Sequence, residues 1–278
     1  MSKKIDTLPL GCMGNKRNEL KLLLPIIEPH LDEDSIFVEP FCGSSIVSFN
    51  IYIKQICKKQ HIKTHINDID EFRIKFYNNM NKEKERQKLY KLEQEILNKG
   101  EKFYYSIVRE GDDEYLKYII SRRIHSFRNG LFPTTKKIIL HEISPNWKSF
   151  FKDSIITNKD YKVIFEKYKD NEKAFLYLDP PYMDSYNAGY NSFQGATHDK
   201  EFNIIDNTKM YIDFINILKD CKCKVLFSIN DCALTRYLYK DYIKDTYNHI
   251  YQTVHLNIKE LNKGKKKKNT NVLIISNF

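Results

Sequence analysis

No apolar run in the 278 residues is long enough to cross a bilayer. The opening Met1-Ser2-Lys3-Lys4-Ile5-Asp6 has neither the apolar stretch nor the small-residue cleavage site of a signal peptide. Both absences predict a soluble, intracellular protein, neither secreted nor held in a membrane. Cys12, Cys42, Cys57, Cys221, Cys223 and Cys232 lack a repeated C-x-x-C spacing or a matched histidine pair. That argues against a zinc site or a disulfide framework and for reduced thiols. His125 and His141 have no partner at metal-ligand spacing either, so no metal is expected. There is no internal repeat and no excess of acid: 46 Lys and Arg face 36 Asp and Glu, a net charge of +10. A polyanionic partner fits that balance, although many basic proteins bind no nucleic acid, so a site has to give the charge its meaning.

What is present is the composition of a globular chain, 41% hydrophobic and 29% charged, long enough for a catalytic domain with a smaller insertion. Leu20, Leu23, Leu24, Ile27 and Leu31 follow a Gly11/Gly14 turn at helical spacing. Ile36-Phe37-Val38 reads as a strand closed by Gly43, Ile46 to Cys57 as a helix, and Thr64 to Asn67 as a second strand ending in Asp68. Strand, glycine turn, helix, strand, acid is the opening unit of a nucleotide-binding α/β fold. From Lys75 to Leu97 the composition turns charged and helix-favouring, with a narrow apolar stripe of Leu89, Leu92, Ile96 and Leu97. This predicts an inserted helical domain over 76–144 within a catalytic domain of 1–75 and 145–278. Apolar runs return at Phe175 to Leu178, Lys224 to Ser228 and Val272 to Ile275, as strands buried on both faces of a mostly parallel sheet do.

The feature richest in chemistry is Leu176-Tyr177-Leu178-Asp179-Pro180-Pro181-Tyr182, an apolar strand that stops in an acid, two prolines and a ring. Consecutive prolines lack N–H donors and fix φ, giving a rigid loop with free carbonyl acceptors. An exocyclic amine such as adenine N6 offers two N–H donors. The carboxylate of Asp179 and the carbonyl of Pro180 can accept both while Tyr182 stacks on the base, which draws the lone pair out of conjugation and aims it. An incidental strand-to-loop turn would look the same in isolation.

Three further segments accompany it in order. Gly11-Cys12-Met13-Gly14-Asn15-Lys16 resembles a Gly-x-Lys motif, and Phe37-Val38-Glu39-Pro40-Phe41-Cys42-Gly43-Ser44-Ser45 resembles a glycine loop for S-adenosylmethionine (AdoMet). With the inserted helices and then Asp-Pro-Pro-Tyr, the order resembles that of the Dam-like, alpha-group, D12 class DNA adenine N6 methyltransferases, over nearly the whole chain. The resemblance implies a Rossmann-like AdoMet-dependent sheet with helices on both faces and a small helical DNA-recognition domain. It also implies methyl transfer to N6 of a flipped-out adenine in duplex DNA, with double-stranded DNA and, in some members, a cognate restriction enzyme as partners.

Carried over residue by residue, Asp179, Pro180, Pro181 and Tyr182 would be catalytic, and Asp179 would also touch the cofactor. Cys12 and Lys16 would lie near the cofactor, Phe41 and Gly43 would shape the pocket for its methionine part, and Asp68 would accept the ribose hydroxyls. Asp153, in Phe151-Lys152-Asp153-Ser154, would approach its adenine. The chain departs from the family's pattern at Cys12, usually aromatic, and at Ser44 and Ser45, where a second glycine is common. Pro133, Thr134 and Thr135 stand where the family places a DNA-contacting loop, so the target sequence is not transferred. Arg122, Arg123, Arg128, Asn129, Lys136, Lys137, Lys265 and Lys266 are the candidate DNA contacts, with a solvated surface as their ordinary alternative. Other amine substrates, RNA adenine, cytosine N4 or a protein amide, and a catalytically lapsed DNA-binding protein of the same fold, are the competing readings.

Overall fold

Apolar segments that alternate side chains above and below a pleat can be buried on both faces only between two layers of helices. The chain does this. The computed structural model describes residues 6–12, 15–58, 60, 62–124, 142–181, 204–252 and 267–278, with the backbone alone at 204–208, 249–252 and 267–270. Seven strands, β1 (Ile36–Glu39), β2 (Lys63–Asn67), β3 (Ile155–Thr157), β4 (Ala174–Leu178), β5 (Lys224–Asn230), β6 (Ile243–Gln252) and β7 (Lys267–Ser276), form one sheet in the order β3-β2-β1-β4-β5-β7-β6. The first five are parallel, while β7 runs antiparallel to both β5 and β6.

Period-2 alternation divides the core. Phe37, Ile66, Phe175, Tyr177, Leu226 and Ile274 point into a cluster on one face, with helices α1 (Leu20–Ile27), α2 (Ile46–Cys57), α3 (Glu71–Met80) and α7 (Pro145–Asp153). Ile36, Val38, Leu176, Leu178, Val225 and Phe227 point into the other, with α8 (Tyr161–Tyr168), α9 (Ile204–Asp220) and α10 (Ala233–Tyr239). Between β2 and α7 lie α3 and then α4 (Glu83–Lys99), α5 (Glu101–Val108) and α6 (Glu114–Ile124). Buried Leu89, Ile96, Tyr104, Tyr118 and Ile119 on these helices join the same apolar cluster as Phe37 and Trp147. Local chemistry fixes the helix starts. Asp70 accepts from Arg73 N–H at 3.1 Å to cap α3, and Ser144 accepts from Trp147 N–H at 3.3 Å ahead of Pro145 to cap α7. The Phe49 and Trp147 rings stack 3.7 Å apart and bind α2 to α7.

The topology decides where a ligand can sit. The chain runs outward from β1 to β2 and β3, then returns to place β4 on the other side of β1, so the order reverses between β1 and β4. In open α/β sheets the crevice outside the carboxyl ends of strands at such a reversal is the ligand site. Here it lies between the loop after Glu39 and the loop after Leu178. Two differences from the sequence expectation are informative. β3 and β6, the sheet's two edge strands, have no apolar run to announce them: β3 is exposed or half-buried along its three residues, and β6 reads Ile-Lys-Asp-Thr-Tyr-Asn-His-Ile-Tyr-Gln. The last strand also begins earlier than the apolar Val272 to Ile275, taking in Lys267 and Lys268.

Candidate active site

Strand β1 ends in Glu39, and the chain turns through Pro40 to Ser45 before α2 starts. The turn needs left-handed backbone twice, at Gly43 (φ 47°) and at Ser45 (φ 55°). Glycine adopts this freely, whereas a serine does so at a cost of about 1 to 2 kcal/mol. Ser45 therefore does a glycine's task, which accounts for the single glycine in this loop. The turn is held from three sides. Cys42 N–H donates to Asn67 O at 2.8 Å, Gly43 N–H donates to Asp68 Oδ2 at 2.9 Å, and Tyr77 OH donates to Gly43 O at 2.6 Å. A Cβ on Gly43 would point at Cys12 Sγ, 3.5 Å away, and at the Arg73 guanidinium at 3.7 Å. The glycine backbone thus faces the segment that carries Cys12 and leads to Lys16.

Lys16 is 5% exposed, and its Nζ lies 2.6 Å from Asp179 Oδ1, whose side chain is 20% exposed. Burial pulls the lysine's proton affinity down, but the Asp179 carboxylate, with Tyr177 and Tyr247 nearby, outweighs it and holds the ammonium well above the ordinary lysine value. Glu39 lies behind this pair, 2% exposed, accepting from the backbone N–H of Ser48 at 3.2 Å and from its hydroxyl. Burial raises the Glu39 carboxyl to about 8, against the lowering effect of the two Ser48 bonds. Cys12 is likewise raised by burial, next to Arg73, Asp68, Asp179 and Arg122. The loop after β4 is pinned from behind: Tyr211 OH on α9 donates to Pro181 O at 2.7 Å, and Tyr239 OH on α10 donates to Tyr211 O at 2.6 Å. One of the two carbonyls expected to be free is therefore engaged, and Pro180 is buried.

Asp68, just past β2, receives Gly43 N–H and Arg73 Nη1 on Oδ2, at 2.9 and 3.0 Å, and Asp70 N–H on Oδ1 at 3.0 Å. Phe41 is half-buried, with its ring 5.2 Å from Tyr161 and 6.0 Å from Phe214. Thus Cys12, Lys16, Phe41, Gly43, Asp68 and Asp179 gather at the carboxyl edge of β1, β2 and β4.

Asp153 does not join them. It ends α7 and precedes β3, so it lies at the amino edge of the parallel strands, where it accepts a hydrogen bond from Tyr52 OH on α2. The acid that β3 delivers to the carboxyl edge is Asp160, the cap of α8, accepting from Lys162 N–H at 2.8 Å beside Tyr161. The signal that finds it is the short strand Ile155–Thr157 ahead of Asp160; without that strand in view, the earlier acid is chosen.

Asn67 was also missed. It is fully buried, and its side chain uses four hydrogen bonds: Nδ2 donates to Pro40 O at 3.0 Å and to Lys159 O at 2.9 Å, while Oδ1 accepts from Thr157 Oγ1 at 2.8 Å and Lys159 N–H at 2.9 Å. It ties the exits of β1, β2 and β3 together. Beside it His65, held by Tyr168 OH and Thr157 Oγ1 at 2.8 Å each, is pushed down to about 4 by burial and Lys167 and stays neutral.

Two of the expected DNA contacts are enclosed by their surroundings. Arg122 is 8% exposed with its guanidinium over the Tyr118 ring at 3.5 Å. Arg123 pairs with buried Glu93, Nε to Oε1 2.5 Å and Nη2 to Oε2 3.0 Å, and also donates to Pro9 O at 2.8 Å. Guanidiniums enclosed and engaged in this way act as ties within the fold. Tyr182, Arg128, Asn129, Lys136, Lys137, Lys265 and Lys266 lie outside the described residues. Among the described residues no helix is long and apolar enough to cross a membrane.

A seven-stranded sheet of this order, with an acid, two prolines and a glycine loop meeting at its reversal, is a methyltransferase arrangement, and comparison with known proteins agrees. Residues 13–129 and 125–256 match the family of D12 class N6 adenine-specific DNA methyltransferases. The chain belongs to that family. It is also similar to Type II methyltransferase M.CviBI of Paramecium bursaria Chlorella virus NC1A, 26% identical over 286 residues that cover 95% of this chain and 97% of the viral protein. The Gly43 loop and the Asp179 loop lie on either side of the reversal, at the carboxyl ends of β1 and β4.

Proposed function

We propose that this D12 class methyltransferase binds AdoMet across the carboxyl ends of β1, β2 and β4 and methylates N6 of an adenine turned out of duplex DNA. The observation that carries the reading is the meeting of Lys16, the Gly43 turn and Asp179 at the reversal of strand order. The residues fit the cofactor. The Gly43 turn carries no side chain into the crevice, and the Asp68 carboxylate is an acceptor for a ribose diol at the pocket's edge. Phe41 offers an aromatic wall.

When bound, AdoMet supplies an electrophilic methyl on a sulfonium. The chain's own residues do the rest. The Asp179 carboxylate, oriented by its ion pair with Lys16, accepts one N6 hydrogen, and the Pro180 carbonyl accepts the other. The rigid Pro180-Pro181 turn, anchored through Tyr211, holds those acceptors still. Tyr182 stacks on the base, worth ~1 to 3 kcal/mol against the few kcal/mol that unstacking costs. With the methyl passed from the sulfonium to N6, the proton that nitrogen then carries in excess would leave by way of the Asp179 carboxylate to water.

Residues 76–144 are assigned to target recognition and the remainder to catalysis. The Type II designation of the viral relative supports a place beside a restriction enzyme. The deciding test is methyl transfer from labelled AdoMet to unmethylated duplex DNA, with nucleoside analysis and Asp179→Ala as control. N6-methyladenine with wild type alone supports the reading. AdoMet binding without any labelled base overturns the DNA substrate, and undiminished transfer by Asp179→Ala overturns the role of the carboxylate.

A further inference from the structure

The acid after β2 is steered from the helical layer. Arg73, third residue of α3, donates from Nη1 to Asp68 Oδ2 at 3.0 Å, and its Nη2 lies 3.4 Å from Asp70 Oδ2 and 3.3 Å from Tyr118 OH on α6. Tyr118 OH in turn donates to Asp70. Arg122, one turn further along α6, covers the Tyr118 ring. The guanidinium side chain is only 14% exposed. A carboxylate has about four lone-pair positions, and at Asp68 three are taken, by Gly43, Arg73 and Asp70. Its rotamer and the direction of its remaining acceptor site are therefore set by these three donors, of which Arg73 supplies the charge and the side chain. Only a planar fork can hold Asp68 with one nitrogen and reach Asp70 and Tyr118 with the other; a lysine cannot.

We infer that Arg73 is a positioning residue for AdoMet, and that Tyr118 acts through it, so that the affinity of the cofactor pocket is tied to helix α6. The inference rests on the reading of Asp68 as the ribose acceptor. Arg73 touches no cofactor in this scheme. It fixes the group that does.

The test titrates S-adenosylhomocysteine into the purified full chain as wild type, Asp68→Ala, Arg73→Met, Arg73→Lys, Tyr118→Phe and the Arg73→Met/Tyr118→Phe double variant. Arg73→Met, losing a charge-assisted bond to Asp68, is expected to weaken binding about tenfold or more. Tyr118→Phe, losing a neutral one at a distance, is expected to weaken it about threefold to fivefold. The double variant should lose less than the product of the two single losses, because Tyr118 reaches Asp68 through Arg73 and otherwise only through Asp70. In methylation assays KM for AdoMet should rise while kcat at saturating AdoMet holds, a split that a general loss of folding would not produce. Should Arg73→Met fail to fold, Arg73→Lys and Tyr118→Phe carry the same comparison, both weaker than wild type.

Wild-type affinity in Arg73→Lys or Tyr118→Phe alongside weak binding in Asp68→Ala overturns the inference and leaves the role of Asp68 standing. Additive losses in the double variant overturn the route through Arg73. Wild-type affinity in Asp68→Ala removes the reading beneath both.

Discussion

Lys16 and Asp179, 163 positions apart in sequence, meet as an ion pair with Nζ and Oδ1 2.6 Å apart at the mouth of the site. The pair joins the segment before α1 to the loop after β4. Lys16 is the charged partner that fixes the direction of the Asp179 carboxylate. For Lys16→Met we expect single-turnover methylation of a duplex oligonucleotide to slow about tenfold or more, since a charge-assisted bond at the reacting group is lost. A rate equal to wild type would show that Lys16 does not orient Asp179.

Glu39 makes stability depend on pH. Folded, burial holds its proton to about pH 8; unfolded, the ordinary value is 4.5. Between those values the folded chain binds one proton more than the unfolded chain. The contribution is therefore complete below about 4.5 and is lost as pH rises through 8, at about 1.4 kcal/mol per pH unit. Glu39→Gln cannot titrate. Urea unfolding from pH 5 to 8 should show wild type losing stability relative to Glu39→Gln as pH rises. Parallel pH profiles for the two proteins would refute the assignment.

How much of this was legible in the sequence follows from what each residue depends on. β1, β4 and β5 are buried on both faces, so their apolar runs announce them, and the abrupt ends of β1 and β4 announce the loops that carry Gly43 and Asp179. β3 and β6 are edges that need no such run. Without β3 in view, Asp153 is picked out by its motif, although it precedes that strand while Asp160 follows it. Arg122 and Arg123 read as surface cations because sequence shows charge but not enclosure. Their partners, Tyr118 and Glu93, lie four and thirty positions away. Asn67 and Arg73 carry no motif at all; only the closeness of three strand ends and two helices gives them their work.

The Glu93–Arg123 pair is one such tie. Glu93 is 1% exposed and bound at both oxygens, and the same guanidinium holds Pro9 O in the segment that leads to Lys16. Removing one partner of a buried pair strands the other charge, at a cost of about 3 to 5 kcal/mol. Glu93→Leu and Arg123→Met should each lose that much in urea unfolding, and the double variant should lose less than the sum. Additive losses would mean the two charges are stabilised independently.

The sharpest substitution is the smallest. Asn67→Asp keeps the shape of the side chain but replaces the amide nitrogen with an oxygen, so the two donor bonds to Pro40 O and Lys159 O become contacts between acceptors. Each carbonyl left without its donor in a buried place costs about 1 to 3 kcal/mol. A new charge at a fully buried position adds a further penalty or forces protonation. Protonation restores one donor at most, so one carbonyl loses its partner at any pH. The strain falls where the Gly43 turn leaves β1 and where Lys159 and Asp160 leave β3. We therefore expect S-adenosylhomocysteine binding to fall at least tenfold, and to recover in part at pH 5, where the carboxyl takes up a proton. Asn67→Ser, whose shorter hydroxyl cannot span Pro40 O and Lys159 O and adds no charge, should lose affinity without that recovery. Calorimetric titration of both variants at pH 5 and pH 8 separates the two effects. Binding by Asn67→Asp equal to wild type at pH 8 would mean that the three strand ends keep their places without this amide.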